Sequence, residues 1–128
     1  MAISEAEAVV MEVLWQRQPQ AAEEVVAALA TRSDWAEPTI KTLLNRLLKK
    51  GAIRAQKDGR RFLYRPVLSR EDWVRQQSEG LLARLFGGRV APLVAHFSEQ
   101  GRLSVQDIAE LKRLVAQLDQ DGEKNHGR

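Results

Sequence analysis

The sequence predicts a mainly α-helical protein with one small β-hairpin near its middle. Two observations predict this class. Apolar residues recur at spacings of three and four along most of the 128-residue chain, as they do on one face of a helix. Between residues 53 and 65 the pattern changes to an alternation around Asp58-Gly59, a pair typical of tight hairpin turns.

Two helices are predicted first. Ser4 and Glu7 have the spacing of a capping box, in which each residue satisfies the other's free backbone N–H, so a helix begins there. Pro19 ends that helix because it cannot continue the hydrogen-bond ladder. A second, shorter helix is predicted over about residues 21–30.

A third helix is predicted from Pro38 to Lys50. Proline suits a first helical turn because its missing N–H would be unpaired there, and Gly51 is a typical C-terminal stop. Two short strands follow, residues 53–57 and 61–65. Three helices and then a hairpin are the order of a winged helix-turn-helix, whose third helix fits a DNA major groove with the basic hairpin beside it.

The second half of the chain is predicted to be helical. Ser69 and Ser104 are candidate N-caps, and Gly87-Gly88 separates two of the helices. The expected organisation is a winged-helix DNA-binding domain at 1–68, a helical dimerisation domain at 69–118 and a flexible polar tail at 119–128.

Composition excludes several classes of function. There is no cysteine, which rules out disulfides, thiolate metal sites and a thiol nucleophile, and there are only two histidines. No phosphate-binding glycine loop and no nucleophile with a matching base is present. We therefore expect no enzyme activity, no metal and no other cofactor.

The chain carries no sign of a membrane protein. No apolar run approaches the roughly 18–20 residues that span a bilayer, so no membrane insertion is expected. Residues 1–7 lack the basic and apolar pattern of a secretory signal. The expected location is the cytoplasm.

Positive charge is concentrated in one segment. Residues 41–65 hold nine basic residues and one acidic residue, a formal charge of +8. Residues 71–128 hold eight basic and nine acidic residues, a formal charge of −1. Because the basic segment covers the third helix and the hairpin, it indicates a surface for nucleic-acid phosphates rather than a merely solvated face.

The candidate DNA contacts divide into two groups. Arg46 and Lys41 can donate to guanine edges, Asn45 can pair with adenine, and Thr39 and Thr42 offer hydroxyls and methyls. The remaining cations, expected on phosphates, position the protein without reading sequence. These are Lys49, Lys50, Arg54, Lys57, Arg60 and Arg61.

Large apolar residues in the second half predict dimerisation. Three short helices cannot bury them within one thin chain, and large exposed apolar patches mark partner surfaces. A second copy related by a two-fold axis would place two recognition helices on an inverted repeat. The alternative is that these residues pack on the winged domain. They are Trp73, Leu82, Phe86, Leu93, Phe97, Leu111 and Leu114.

Several runs resemble the penicillinase and methicillin-resistance repressors. One run begins at residues 3–7 and continues to residues 13–15. The others are Asp34-Trp35 and residues 39–47 followed by Lys49-Lys50-Gly51. Phe86-Gly87-Gly88, and Leu103-Ser104 before Ile108 and Glu110-Leu111, are similar to that family's dimerisation region. The resemblance covers about residues 3 to 118 in order.

The resemblance implies a homodimeric winged-helix repressor that binds inverted repeats rich in TACA/TGTA half-sites and silences resistance or homeostasis genes. In antibiotic-sensing members a membrane sensor-protease triggers cleavage of the repressor, and the matching bond here is His96-Phe97. Those members carry asparagine before the phenylalanine, so His96 departs from their pattern. We interpret His96 as an ordinary helix residue near a dimer seam. Whether derepression uses proteolysis or a ligand stays open.

Two other departures bear on function. Pro38 fills the position where the antibiotic-resistance repressors carry a lysine, so one operator contact is missing or replaced. The absence of cysteine excludes the copper chemistry of the copper-responsive branch. The hypothesis is a sequence-specific, DNA-binding transcriptional repressor that acts as a homodimer. The alternative is a winged-helix protein-interaction module that does not bind DNA.

Overall fold

A computed structural model describes the backbone of residues 1–126 and the side chains of residues 1–122. Two compact units divide the chain: the winged unit, Met1–Gln77, and the helical unit, Ser78–Arg128. The elements in chain order are α1 Glu5–Gln16, β1 Gln20–Ala21, α2 Ala22–Leu29, α3 Glu37–Lys50, β2 Ile53–Asp58, β3 Arg61–Pro66, α4 Arg70–Leu85, α5 Val90–Glu99 and α6 Val105–His126.

The predicted helix starts in the winged unit are confirmed. The hydroxyl of Ser4 accepts from the backbone N–H of Glu7 at 3.1 Å, and Oε1 of Glu7 accepts from the Ser4 N–H at 2.7 Å. Proline stands in the first turn of α3, and Gly51 ends that helix with φ +76°. A left-handed residue costs little only in glycine, which is why the helix stops there.

The hairpin β2–β3, residues 53–66, is the wing. Asp58 pairs with Arg61, which leaves Gly59 and Arg60 as the connecting loop. Gly59 has φ +64°, as a tight hairpin turn requires. The short strand β1 pairs with the other edge of β3 and was not predicted, because two residues carry no readable periodicity.

A closed apolar core holds the winged unit together. The stripes of α1, α2 and α3 meet in it, and Ala52, Ile53 and Leu68 close it from the wing side. Its largest fully buried apolar side chains are Met11, Leu14, Leu29, Ile40, Leu44 and Leu47. Each buried leucine or isoleucine contributes on the order of 2 kcal/mol of transfer free energy.

Trp73, which is predicted to take part in dimerisation, lies in the winged unit. It is half-buried and packs against the core of that unit, 5.4 Å from Trp15 between ring centroids. Its part in dimerisation stays a prediction. Trp15 in turn donates from Nε1 to the carbonyl of Leu68 at 2.8 Å. This packing ties the first turns of α4 to the winged unit, so the two units divide within α4 and not at residues 68–69.

The helical unit has no such core. Among the side chains described between residues 78 and 122, none is buried. Helix α6 continues to His126, through most of the segment predicted as a flexible tail at 119–128; residues 127–128 lie outside the described part. No described helix combines the length and apolar character needed to cross a bilayer.

Candidate nucleic-acid interface

Helix α3 has two chemically distinct sides. Ile40, Leu43, Leu44 and Leu47 are buried in the core and fix the helix to the winged unit. The other side is exposed and contains no apolar and no acidic side chain between residues 39 and 49. Its exposed members are Thr39, Lys41, Thr42, Asn45, Arg46 and Lys49.

The exposed side of α3 is available to an anionic ligand. Lys41 Nζ lies 3.1 Å from Glu37, but this solvent-exposed pair is worth only about 0.3–0.5 kcal/mol and is readily exchanged. The hydroxyl of Thr42 donates to the carbonyl of Pro38 at 2.9 Å, which leaves its lone pairs free to accept. Within the described residues, no carboxylate lies within 4.0 Å of Arg46 or Lys49.

Four of the predicted phosphate contacts lie on the wing, and one of them, Arg54, is exposed on β2. Lys57 and Arg60 are exposed near its turn and meet no carboxylate within 4.0 Å in the part of the chain that is described. Arg61 is exposed as well, with Glu23 at 3.8 Å and Asp58 at 3.7 Å. At these distances the two carboxylates weaken its positive potential without holding it in a hydrogen bond.

Lys50, another predicted phosphate contact, forms an ion pair within the protein. Its Nζ donates to Oε1 of Glu7 at 2.5 Å and to the carbonyl of Ala2 at 3.1 Å. The side chain of Glu7 is only 2% exposed. A buried carboxylate needs a countercharge, so the ammonium of Lys50 joins the end of α3 to the start of α1.

The Glu7 carboxyl is held in its charged form. Burial by itself would raise its pKa, but hydrogen bonds from Lys50 and Ser4 outweigh burial, and the pKa lies below its ordinary value. The sequence held a signal for this pair. Glu7 stands three and seven residues before Val10 and Leu14, on the buried stripe of α1, where a charged residue requires a partner.

The apolar residues predicted for dimerisation lie in the helical unit, apart from Trp73. Leu82, Phe86, Leu93 and Leu111 are half-buried, while Phe97 and Leu114 are exposed. A groove of about 430 Å³ lies between α5 and α6, lined by apolar residues of both helices. Its apolar lining is Leu93, Val94, Phe97, Leu103, Leu111 and Leu114.

The bond between His96 and Phe97 lies inside α5, and both side chains are exposed. The His96 ring is 6.1 Å from the ring of Phe86 and 5.3 Å from that of Phe97, so it belongs to an aromatic cluster. In the described part of the chain, histidine and carboxylate side chains form no group of three that could hold a metal ion.

Comparison with known proteins agrees with this geometry. Residues 3–117 match the family described as "Penicillinase repressor". The chain is 37% identical over 113 residues to the penicillinase repressor of Bacillus licheniformis, covering 88% of each chain. It is 32% identical over 113 residues to the methicillin resistance regulatory protein MecI of Staphylococcus aureus (strain N315), covering 88% of this chain and 92% of that one.

A solved structure shows the same architecture in the winged unit. The Bacillus licheniformis BlaI repressor, determined in solution as a monomeric form in complex with the blaP half-operator, is 42% identical with a TM-score of 0.51. That match covers 56% of this chain and 88% of the other. The fold is therefore a winged helix, and the chain belongs to the penicillinase repressor family, a family of repressors rather than enzymes.

Proposed function

We propose that this protein is a transcriptional repressor that binds duplex DNA as a homodimer at an inverted-repeat operator. One observation carries the proposal: the exposed side of α3 between residues 39 and 49 holds only hydroxyl, amide and cationic groups, while the opposite side is locked into a closed core. A rigid helix with that side outward fits a major groove.

Base recognition is assigned to the middle of α3. Arg46 and Lys41 donate to O6 and N7 of guanine, and Asn45 pairs with an adenine edge. Thr39 and Thr42 contact phosphate oxygens or thymine methyls. Arg46 carries the sharpest expectation, because its guanidinium has no carboxylate partner among the described residues and can form a two-pronged hydrogen bond.

Phosphate contacts are assigned to Lys49, Lys57, Arg60 and Arg61. These cations flank the base-reading side chains and would set the register of the protein on the duplex. Replacing Lys57 or Arg60 with alanine should weaken binding to all sequences and flatten the salt dependence by about one unit each. Arg46→Ala should instead relax discrimination at one base pair, so equal losses on operator and random DNA would contradict this division.

Self-association is assigned to the helical unit. Its leucines, valines and phenylalanines lie exposed or half-buried on α4, α5 and α6, and a second copy would remove that apolar area from water. A dimer is also the reason why we propose an inverted repeat as the operator. Two recognition helices related by a two-fold axis read two half-sites whose centres lie about one helical turn, or a multiple of it, apart.

The regulatory route follows from this arrangement. A bound dimer silences the gene beside its operator, in the cytoplasm where the chromosome lies. If a membrane sensor-protease relieves repression, the bond His96-Phe97 must first leave its helical conformation, because it lies inside α5. Mass spectrometry of the repressor from induced cells decides this point: fragments ending at His96 support cleavage, and an intact chain supports a ligand.

The competing function is a winged-helix module that binds proteins and not DNA. Such a module needs no cations on its third helix, so the charge of +8 over residues 41–65 argues against it. Selection from a pool of random-sequence duplexes separates the two. The proposal predicts enrichment of an inverted repeat by the wild-type chain, and no enrichment once Lys41, Arg46 and Lys49 are all replaced by alanine. A wild-type chain that enriches nothing overturns it.

A further inference from the structure

The two faces of the wing differ in charge. In the pairing of β2 with β3, Ala55 lies opposite Tyr64, and Tyr64 packs against the core. Because successive side chains of a strand point to opposite faces, Arg54 and its cross-strand neighbour Arg65 lie on the other, outer face. Both arginines are exposed. The outer face of the wing therefore holds two guanidinium groups opposite each other.

No described part of the chain neutralises the pair Arg54–Arg65. Residues directly opposite on antiparallel strands have Cβ atoms about 4.5–5.5 Å apart, where like charges destabilise the sheet. No carboxylate among the described residues lies within 4.0 Å of either group. Arg61, also on β3, differs because two carboxylates lie within that distance. An external anion is what would relieve the repulsion between Arg54 and Arg65.

A phosphate diester of duplex DNA fits this pair best. Guanidinium groups bind phosphate oxygens through two parallel hydrogen bonds, and two of them can hold one phosphate from both sides. The pair lies on the same face of the wing as Arg61, which is four residues before Arg65 on β3 and is one of the proposed phosphate contacts. Strand β2 begins just after the Gly51 that ends α3, and the same hairpin carries Lys57 and Arg60 near its turn.

We propose that Arg54 and Arg65 clamp one backbone phosphate of the DNA that flanks the base pairs read by α3. The proposal rests on the DNA-binding function proposed above and extends the phosphate contacts along the outer face of the wing, from Arg61 near the turn to Arg54 and Arg65. The sequence pattern indicated Arg54 as one phosphate contact among several. The strand register adds Arg65 and joins the two arginines in one site.

The test compares two duplexes and two double variants. One duplex carries only the selected inverted repeat, and the other extends it by about one helical turn on each side. The clamp variant is Arg54→Gln/Arg65→Gln. The control, Arg75→Gln/Arg89→Gln, removes the same charge from exposed positions outside the wing. Fluorescence anisotropy over a series of salt concentrations gives the affinity and the salt slope for each protein with each duplex.

The clamp predicts a loss confined to the long duplex. There the clamp variant should bind about tenfold more weakly than wild type, with a salt slope lower by about one per chain, while the control is unchanged. On the short duplex, wild type, the clamp variant and the control should have the same affinity and the same salt slope. The clamp variant should also melt at the same or a higher temperature than wild type, because the like-charge repulsion is gone.

Other outcomes overturn the clamp. If wild type binds both duplexes and the clamp variant matches it on the long one, the pair does not contact DNA and an acidic protein segment becomes the better ligand. Equal losses on the two duplexes contradict a flanking contact. If wild type binds neither duplex, the proposed DNA-binding function fails, and the clamp falls with it.

Discussion

The winged unit and the helical unit have similar apolar patterns but differ in how far their apolar side chains are buried. In the winged unit the stripes of α1, α2 and α3 converge, and side chains such as Leu14 and Leu47 are wholly buried. In the helical unit the same spacing of leucines and valines produces helices whose described side chains are all at least partly exposed; Leu118, for example, is 67% exposed. Periodicity predicts where a helix forms, whereas burial depends on what lies against it.

The difference supports the separate tasks that we propose for the two units. A closed core holds α3 rigidly, which a DNA-reading helix requires, since its side chains must meet base edges within tenths of an ångström. An open apolar surface costs free energy in water, and that cost becomes affinity when a second copy covers it. All three tryptophans, Trp15, Trp35 and Trp73, lie in the winged unit, so fluorescence follows its unfolding alone.

The largest expected effect comes from opening the closed core. Leu44→Ala removes a side chain that is 1% exposed and should lower the free energy of unfolding of the winged unit by about 3 kcal/mol. Urea titration followed by tryptophan fluorescence measures it. Leu118→Ala, the matched change in the helical unit, should leave that transition in place. A similar loss in both variants would mean that the two units share one core.

The next largest effect concerns the open surface. Leu114→Glu places a charge on the groove between α5 and α6 and should weaken self-association about 100-fold, or about 2.7 kcal/mol. Gln120→Glu adds the same charge elsewhere on α6 and serves as the control. Sedimentation velocity over a concentration series measures both. If the two variants associate equally well, the groove is not the interface.

A third prediction concerns the ion pair between Lys50 and Glu7. Lys50→Met leaves a buried carboxylate without its countercharge and should cost about 2 kcal/mol of winged-unit stability at pH 7. Because the folded-state pKa of Glu7 is lowered, the pair stabilises the fold above the ordinary pKa of a glutamate, about 4.3. That stabilisation disappears as the pH falls through the folded pKa, so the cost of Lys50→Met should shrink in acid.

Lys49→Met is the control for this pair. Lys49 neighbours Lys50 in sequence but is exposed and has no carboxylate within 4.0 Å among the described residues. We expect it to leave the urea transition unchanged and to lower the salt slope of DNA binding by about one. Lys50→Met should shift the urea transition to lower urea concentration and leave the salt slope of DNA binding unchanged. A lower salt slope in the Lys50 variant would restore the phosphate contact that the sequence suggested.

The smallest expected effect compares two helix caps. The hydroxyl of Ser4 accepts from the N–H of Glu7 at 3.1 Å in the winged unit, and that of Ser104 accepts from the N–H of Asp107 at 3.0 Å in the helical unit. Ser4→Ala should lower winged-unit stability by about 1 kcal/mol. Ser104→Ala should leave that transition alone and reduce helicity by circular dichroism. Equal effects on tryptophan fluorescence would contradict separate folding units.

Local signals made most of the fold predictable. The caps at Ser4 and Ser104, the glycine after α3 and Gly59 in the hairpin turn act through neighbouring residues, so the sequence displays them directly. Strand β1 was missed because its existence depends on an edge of β3 that lies far along the chain. The full length of α6 was not predicted, because polarity indicates exposure and not the absence of a helix.

The candidate interface could be recognised in the sequence to the extent that it lies on one helix. Helical spacing alone puts Thr42, Arg46 and Lys49 in one exposed column, and the structure leaves all three exposed. The partners of Lys50 and Trp73 within the winged unit, Glu7 and Trp15, were not identified from the sequence because both come from α1. Contacts between residues so far apart in the sequence cannot be identified from a local pattern.

We propose that the helical unit covers its apolar surface with a second copy of the same chain. Sedimentation equilibrium of the protein at micromolar concentration tests this proposal. We expect a species of twice the chain mass of 14.5 kDa, which Leu114→Glu converts to single chains and Gln120→Glu does not. A wild-type protein that sediments as a single chain of 14.5 kDa under those conditions would contradict it.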